Sequence, residues 1–219
     1  MDRRSFIEKL GGMGVAGAFL STFPWLEACS PETDKAVSRE KTRIGLIGPG
    51  SRGCFHLENL QNIPQAEVVA LCDNYAPHLE DGASYFPQAK LYSDYRKLLE
   101  DKNVDSVVIA TPLDRHFQMA MDAMDAGKNV YCEKAMAYTI DECWQMYMKY
   151  MQTGKIFFIG QQRLFDPKYL KAMEGVLAGT YGPVVNVRNY WFRNGDWRRS
   201  VPSPELERHI NWRLYREYS

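Results

Sequence analysis

The chain has 219 residues, 45% of them hydrophobic, and its 27 basic side chains are balanced by 27 acidic ones. That is enough apolar material for one complete domain and part of a second. A net charge of zero gives no electrostatic case for a nucleic-acid partner. The cysteines at 29, 54, 72, 132 and 143 are odd in number and no pair has metal-ligand spacing. They argue against a disulfide framework and against a metal site.

In chain order, Asp2-Arg-Arg-Ser-Phe-Ile-Glu-Lys9 carries a twin arginine, followed by a glycine-rich, mildly apolar stretch from Leu10 to Leu26 that Pro24 interrupts. The stretch is too short and too weakly hydrophobic for a spanning helix and reads as the apolar region of an export signal. With the twin arginine it resembles a Tat signal, with Glu8 as a departure where a basic residue is commoner. Leu26-Glu-Ala-Cys29 resembles a bacterial lipobox, in which Glu27 is atypical. Lipidation of Cys29, simple cleavage and a retained tail all remain open. The expectation is Tat export to the periplasm or cell envelope, with a lipid on Cys29 as the only membrane attachment. Residues 1–29 are thus a signal, and 30–41, charged and without periodicity, a tether.

Folded structure is expected from Thr42. Arg43 to Ile47 reads as a short strand that runs into Gly48-x-Gly50-x-x-Gly53 and a helix. This is the order of a dinucleotide-binding turn. Gly48 permits the tight turn, Gly50 lets backbone approach a pyrophosphate, and Gly53 allows helix to pack on strand. Ser51 and Arg52 lie at the helix start, whose amides point at the phosphates. A second strand, Ala66 to Asp73, ends in an acid 20 positions after Gly53 (73 − 53), where a carboxylate receives the adenosine ribose hydroxyls. An ordinary βαβ turn without ligand is the alternative.

Strand and helix signals then alternate, the pattern of a doubly wound parallel α/β sheet. Strands are expected at 43–48, 67–73, 106–111, 129–132 and 156–160, all continuously apolar as when both faces are covered. Helices are expected at 53–61, 94–101, 114–126, 139–153 and 167–178. Thr139-Ile-Asp-Glu142 is a capping box, and Gly127 and Gly154 are placed as helix C-caps. After Tyr181-Gly-Pro183 the pattern changes: Val184 to Phe192 alternates and is rich in β-formers. It opens a different sheet that one strand cannot complete. The expected domains are a Rossmann domain at 42–161 and a partial second α/β domain, with an open and mainly antiparallel sheet, at 162–219. Arg193, Arg198 and Arg199 among Trp191, Phe192 and Trp197 read as a sheet edge and polar loop rather than a base-stacking patch.

Three groups carry the chemistry. Thr111-Pro112 closes a βα unit at the carboxyl edge of the sheet, where ligands bind. His116 follows, facing a nicotinamide pocket or serving to cap and pack. Glu133-Lys134 ends the next strand. There the lysine, with a pKa lowered by burial, can hydrogen-bond a substrate hydroxyl and exchange its proton; a surface ion pair is the bland alternative. Cys72 and Cys132 fall in apolar runs and read as small buried hydrophobes.

Gly48-Pro-Gly-Ser-Arg-Gly53, Asp73, Thr111-Pro112 with His116, and Ala126-Gly-Lys-Asn-Val-Tyr-Cys-Glu-Lys134 together resemble the Gfo/Idh/MocA oxidoreductase family. The likeness covers roughly residues 42–217. It implies a Rossmann domain joined to an α/β domain whose open sheet mediates homo-oligomers and lines the substrate site. It implies NAD as cofactor and a small sugar or polyol as substrate. By the same likeness Lys134, with Glu133 in its motif, lies beside nicotinamide and substrate, and Arg163 approaches substrate. Ala135 departs from the family, which usually has proline there. The family's catalytic histidine in the second domain has no counterpart before Ser219; His209 does not fit it.

Asp73 favours NAD over NADP, because a carboxylate there repels a 2′-phosphate; Arg52 softens that preference if it turns toward the adenosine. Three functions are compatible with these residues. The first is an exported NAD-dependent oxidoreductase that moves a hydride to or from a sugar or polyol carbon. The second is a glycosidase that uses NAD transiently, with no net redox change. The third is a nucleotide-binding fragment without turnover.

Overall fold

Continuously apolar strands are stable only when helices cover both faces of the sheet, and the chain folds accordingly. The computed structural model describes residues 41–190, 192, 194–195 and 203–208. Its strands are β1 (Thr42–Ile47), β2 (Ala66–Cys72), β3 (Lys90–Tyr92), β4 (Ser106–Ile109), β5 (Asn129–Glu133) and β6 (Phe157–Gly160). The helices are α1 (Ser51–Leu60), α2 (Ala76–Tyr85), α3 (Tyr95–Glu100), α4 (Leu113–Asp125), α5 (Ile140–Thr153), α6 (Pro167–Leu177) and the short α7 (Pro204–Glu207). The six strands form one sheet in the order β3-β2-β1-β4-β5-β6, and every pairing is parallel. This is the doubly wound Rossmann arrangement, whose order reverses between β1 and β4.

Alternate residues along each strand enter two cores. Ile47, Val107, Ile109, Val130 and Cys132 pack with Leu98, Ala120, Ala123, Met124 and Met146 of α3, α4 and α5. Leu46, Val68, Leu71 and Val108 pack on the opposite face with Leu57 of α1, flanked by Leu79 and Ala83 of α2. Burial pushes the Cys132 thiol up to about 12, with the neighbouring Glu133 carboxylate adding to it. The Cys72 thiol goes to about 12 by burial and then Asp73. Both behave as the buried hydrophobes expected. No helix among the described residues is long and apolar enough to cross a membrane.

Local signals act where they were read. The Thr139 hydroxyl accepts the Glu142 amide at 3.2 Å, and Glu142 returns a carboxylate to the Thr139 amide at 2.9 Å. Gly154 ends α5 at φ 63°, the left-handed conformation that glycine adopts without penalty. Lys128, in the Ala126-Gly-Lys stretch, is 8% exposed. Its Nζ donates to the carbonyls of Asp101 and Val104 at 2.8 and 2.7 Å, and burial lowers its pKa.

Two differences from expectation concern elements. The sequence reading has nothing between 73 and 94, yet α2 and β3 form there. Pro77 in the first turn of α2 suits a helix start. Gly82 lets α2 press on the phosphate turn, since a Cβ there would come within 2.8 Å of Pro49 Cβ. The strand expected at 184–192 is not formed over its described residues: 184–190 are irregular and exposed. An alternating stretch is stable as a strand only within a ladder, and over its described residues this one pairs with no strand of the sheet. The signal, the tether to residue 40, Cys29, Trp191, Arg193, Trp197 to Arg199 and His209 lie outside the described residues.

At the strand starts, Arg43 clamps β1 to the β4 side. Its Nε and Nη2 donate to the two oxygens of Asp105 at 2.9 and 2.7 Å, a fork that suits guanidinium and carboxylate. These bonds hold the Asp105 carboxyl below its ordinary range. A carboxyl depressed by folding contributes stability that is full above its unfolded value, about 3.9, and lost as pH falls through the folded one. Urea unfolding of the wild type therefore shows stability dropping between about pH 4 and pH 2. Asp105→Asn shows a smaller drop over that window; an equal drop removes Asp105 from the explanation.

Candidate cofactor and active site

Because all strands run the same way, their carboxyl ends share one edge. Ile47 is level with Cys72 on one side and Ile109 on the other, Ile109 with Cys132, and Glu133 with Gly160. Gly48, Asp73, Thr111, Lys134 and Arg163 therefore leave the sheet along that edge.

The turn after β1 is built from backbone. Gly48 has φ 89° and its amide donates to the Cys72 carbonyl at 2.8 Å. A Cβ on Gly48 would sit 2.9 Å from the Ala110 oxygen. A Cβ on Gly53 would overlap the Gly48 carbonyl. The chain can thus reverse from strand to helix only with glycine at both places. Gly50 caps α1 without any side-chain acceptor, so amides at the start of this ten-residue helix are presented outward beside exposed Ser51. Backbone donors at the positive end of a helix, next to a side-chain-free turn, fit a pyrophosphate.

Asp73 follows β2, and its amide donates to the Tyr92 carbonyl at 3.2 Å. Its Oδ1 accepts the Tyr75 amide at 2.9 Å, and its Oδ2 accepts from His78 Nδ1 at 3.1 Å. Arg52 points elsewhere. Its Nε is 3.7 Å from Glu133 Oε1 and its guanidinium lies 5.3 Å from the Phe55 ring centre. It does not turn toward the adenosine side, because Glu133 is the carboxylate that α1 brings within its reach.

Glu133, 6% exposed, is held by α1. His56 Nε2 donates to its Oε1 at 2.8 Å, and the Lys134 amide lies 3.2 Å from its Oε2. His56 is one helical turn after Arg52, so both face the same carboxylate; that i,i+4 pair was the signal for a residue the sequence reading passed over. Lys134 does not have the burial expected of it. Its side chain is exposed, and among the described residues no hydrogen bond or ion pair engages its Nζ, because the edge beyond β5 is uncovered there. The Lys134–Ala135 peptide bond is cis.

Pro112 caps α4, and Thr111 Oγ1 lies 3.5 Å from Met119 Sδ. His116 is 1% exposed. Its Nδ1 is 2.8 Å from the Ala135 oxygen and its Nε2 3.0 Å from the Thr111 oxygen. A neutral ring donates to one of these carbonyls and an imidazolium to both. The ring thereby joins the Thr111-Pro112 turn to the carbonyl of Ala135, the residue after Lys134. Arg163, three residues beyond β6, is exposed at φ 67° and donates to the Tyr169 hydroxyl at 3.3 Å. A groove of about 560 Å³ between α1 and the sheet is lined by Thr42, Ser106 and Asn129, the first residues of their strands. It opens toward the opposite edge and is not this site.

The family profile described as an oxidoreductase family with an NAD-binding Rossmann fold, Gfo/Idh/MocA, matches residues 42–161. A glycosyl hydrolase family 109 protein of Shewanella baltica is 27% identical over an alignment of 235 positions, which takes in 98% of this chain and 50% of that protein. The chain thus spans about half the length of the curated relatives it matches. Among solved structures, scyllo-inositol dehydrogenase of Lactobacillus casei with bound NAD(H) and scyllo-inositol is similar at TM-score 0.62 and 26% identity, over 65% of this chain and 43% of that one. The myo-inositol 2-dehydrogenase of Lactobacillus plantarum is similar at TM-score 0.62 and 28% identity, over 67% and 44%. With the glycine turn, the acid after β2 and the doubly wound sheet all in place, the chain belongs to the Gfo/Idh/MocA family of NAD-binding oxidoreductases.

Proposed function

We propose that the protein moves a hydride between NAD and a hydroxyl-bearing carbon of a sugar or polyol. The observation that carries this reading is the placement of Lys134 at the carboxyl edge, directly after a Glu133 that α1 holds in place. Bound NAD supplies the hydride acceptor or donor. The amides at the start of α1 and the Gly48–Gly53 turn take the pyrophosphate, and Asp73 takes the ribose hydroxyls in preference to a 2′-phosphate. Lys134 Nζ holds the substrate hydroxyl and takes up or returns its proton as the C–H bond breaks or forms. Arg163, at the same edge, reaches toward the substrate. Glu133 and His116 act through the backbone that carries Lys134.

A second reading has a specific observation behind it: curated relatives matched across 98% of the chain are named glycosyl hydrolases of family 109. The same residues serve a glycosidase in which NAD oxidises the sugar to a ketone, the aglycone leaves by elimination, water adds at the anomeric carbon and the NADH formed reduces the ketone again, so that NAD is regenerated in each turnover. A nitrophenyl glycoside panel assayed without added NAD separates the two. Nitrophenol release supports the glycosidase; NADH formation from free sugars or polyols with added NAD supports net oxidation. On whichever substrate turns over, Lys134→Ala lowers kcat about 100-fold or more with NAD affinity kept. Unchanged kcat removes Lys134 from the chemistry.

The cofactor turn has its own check. Gly53→Ala forces the backbone apart at a cost of about 1–3 kcal/mol, and calorimetric titration shows NAD binding weakened about tenfold or more. Affinity equal to wild type overturns the assignment of this turn to the pyrophosphate.

Export by the twin-arginine route belongs to the same reading, supported by Arg3 and Arg4 before an apolar stretch and by Cys29 after it. Replacing Arg3 and Arg4 by lysine leaves the protein in the cytoplasmic fraction, and Cys29→Ser moves exported protein from the membrane to the soluble envelope fraction. Normal fractionation of both variants overturns export and anchor alike.

A further inference from the structure

We propose that His78 is a second residue that selects the cofactor, by occupying the adenosine-ribose seat and competing with NAD for Asp73. The inference rests on the NAD assignment of this turn. In a dinucleotide fold the ligand runs from the glycine turn to the acid after the second strand. Here one imidazole spans that interval. Its Nδ1 donates to Asp73 Oδ2 at 3.1 Å. On its other side it fills the room that the missing side chain of Gly50 leaves. A Cβ there would meet His78 Cε1 at 3.3 Å, Nδ1 at 3.6 Å and Nε2 at 3.7 Å. The Tyr75 ring meets it nearly at right angles, 4.8 Å between centres. The Tyr75 amide takes the other Asp73 oxygen at 2.9 Å.

The His78 side chain is 42% exposed and Asp73 12%, so the ring can swing into solvent without opening a cavity. NAD seats when it does. Partly exposed pairs of this kind are weak, so the competition amounts to about fivefold in affinity. It depends on pH, because a neutral ring offers Asp73 a hydrogen bond and an imidazolium adds an ion pair. Asp73 is the charged group within hydrogen-bond distance of the ring. Tyr75 presents its ring, and the turn presents Gly50 backbone. Asp81, one turn along α2, acts on Cys54 of α1, whose thiol pKa is raised by burial and by this carboxylate. A protonated His78 beside the ribose also offers a donor to a 2′-phosphate, which Asp73 alone repels. Acid thus weakens NAD binding and narrows the preference over NADP.

The test is calorimetric titration of the full chain with NAD and with NADP at about pH 8.5 and about pH 5.5, either side of the ordinary histidine pKa of about 6.5. Wild type loses about fivefold in NAD affinity at the lower pH, and its preference over NADP shrinks. In His78→Ala both changes vanish, and NAD binds more tightly than to wild type at about pH 5.5. His78→Gln, which can donate to Asp73 but never carries charge, is likewise flat with pH. Three results overturn the proposal while leaving the cofactor assignment intact. They are pH-independent NAD affinity in wild type, a fall that persists in His78→Ala, and weaker NAD binding by His78→Ala at the lower pH. No NAD binding by wild type at either pH overturns the cofactor assignment and this proposal with it.

Discussion

The contact on which the site depends is the approach of the Gly53 backbone to the Gly48 carbonyl, closer than any side chain at residue 53 would allow. It fixes the angle at which α1 leaves β1. From that angle Leu57 enters the core, and Arg52 and His56 reach Glu133 two strands away. Gly82 repeats the device from the other direction, letting α2 rest on Pro49. The turn that faces the pyrophosphate is therefore clamped by two helices that both need a missing side chain to approach it. Its conformation is set before any ligand arrives, which lowers the ordering cost of binding.

Around Lys134 the support is of a different kind. Neighbouring groups hold the backbone and leave the lysine side chain alone. Glu133 is tied to α1 through His56. The Ala135 carbonyl is tied through His116 to Thr111, at the end of the neighbouring strand. Lys134 thus sits between a side chain fastened to α1 and a carbonyl fastened to the turn after β4, while among the described residues nothing engages its Nζ. In the role proposed above, anchored neighbours and an open side chain would orient Lys134 for proton transfer without consuming its hydrogen bonds.

How far this was legible in the sequence depended on the range of the interaction. The glycine turn and Asp73 could be read because phosphate and ribose recognition demand particular residue types at fixed short spacings, and Lys134 because it follows Glu133 at the end of an apolar strand in a stretch that resembles the family's. The capping box at Thr139 and the stop at Gly154 are equally local. His78 carries no such signal and His56 only its i,i+4 spacing to Arg52, because each matters through a partner on another element: Gly50 across a turn, Glu133 across the sheet. α2 was missed for a related reason. Its apolar content is slight and it contains Gly82, so it owes its place to packing on Pro49 rather than to its own periodicity. The stretch from 184 misled in the opposite sense. Its alternation is a strand pattern, but pattern alone does not make a ladder. The exposure of Lys134 belongs here too, since burial of an edge residue depends on whatever covers the edge.

The strands of the sheet are not equally protected, and this sets the order in which the fold opens. β1 is hydrogen-bonded on both sides, and its Leu46 and Ile47 are fully buried under helices on opposite faces. β6 pairs with β5 alone, and its Phe157, Phe158 and Ile159 are only half-buried. Local opening starts where buried apolar contact is least. Breathing of the domain therefore begins at the two edge strands, the three-residue β3 with Lys90 and Leu91 exposed and the half-buried β6, while β1 and the phosphate turn are the last to yield. Lys134 thus leaves the sheet one strand in from the β6 edge and Asp73 one strand in from the β3 edge, while the glycine turn stands on the strand that opens last.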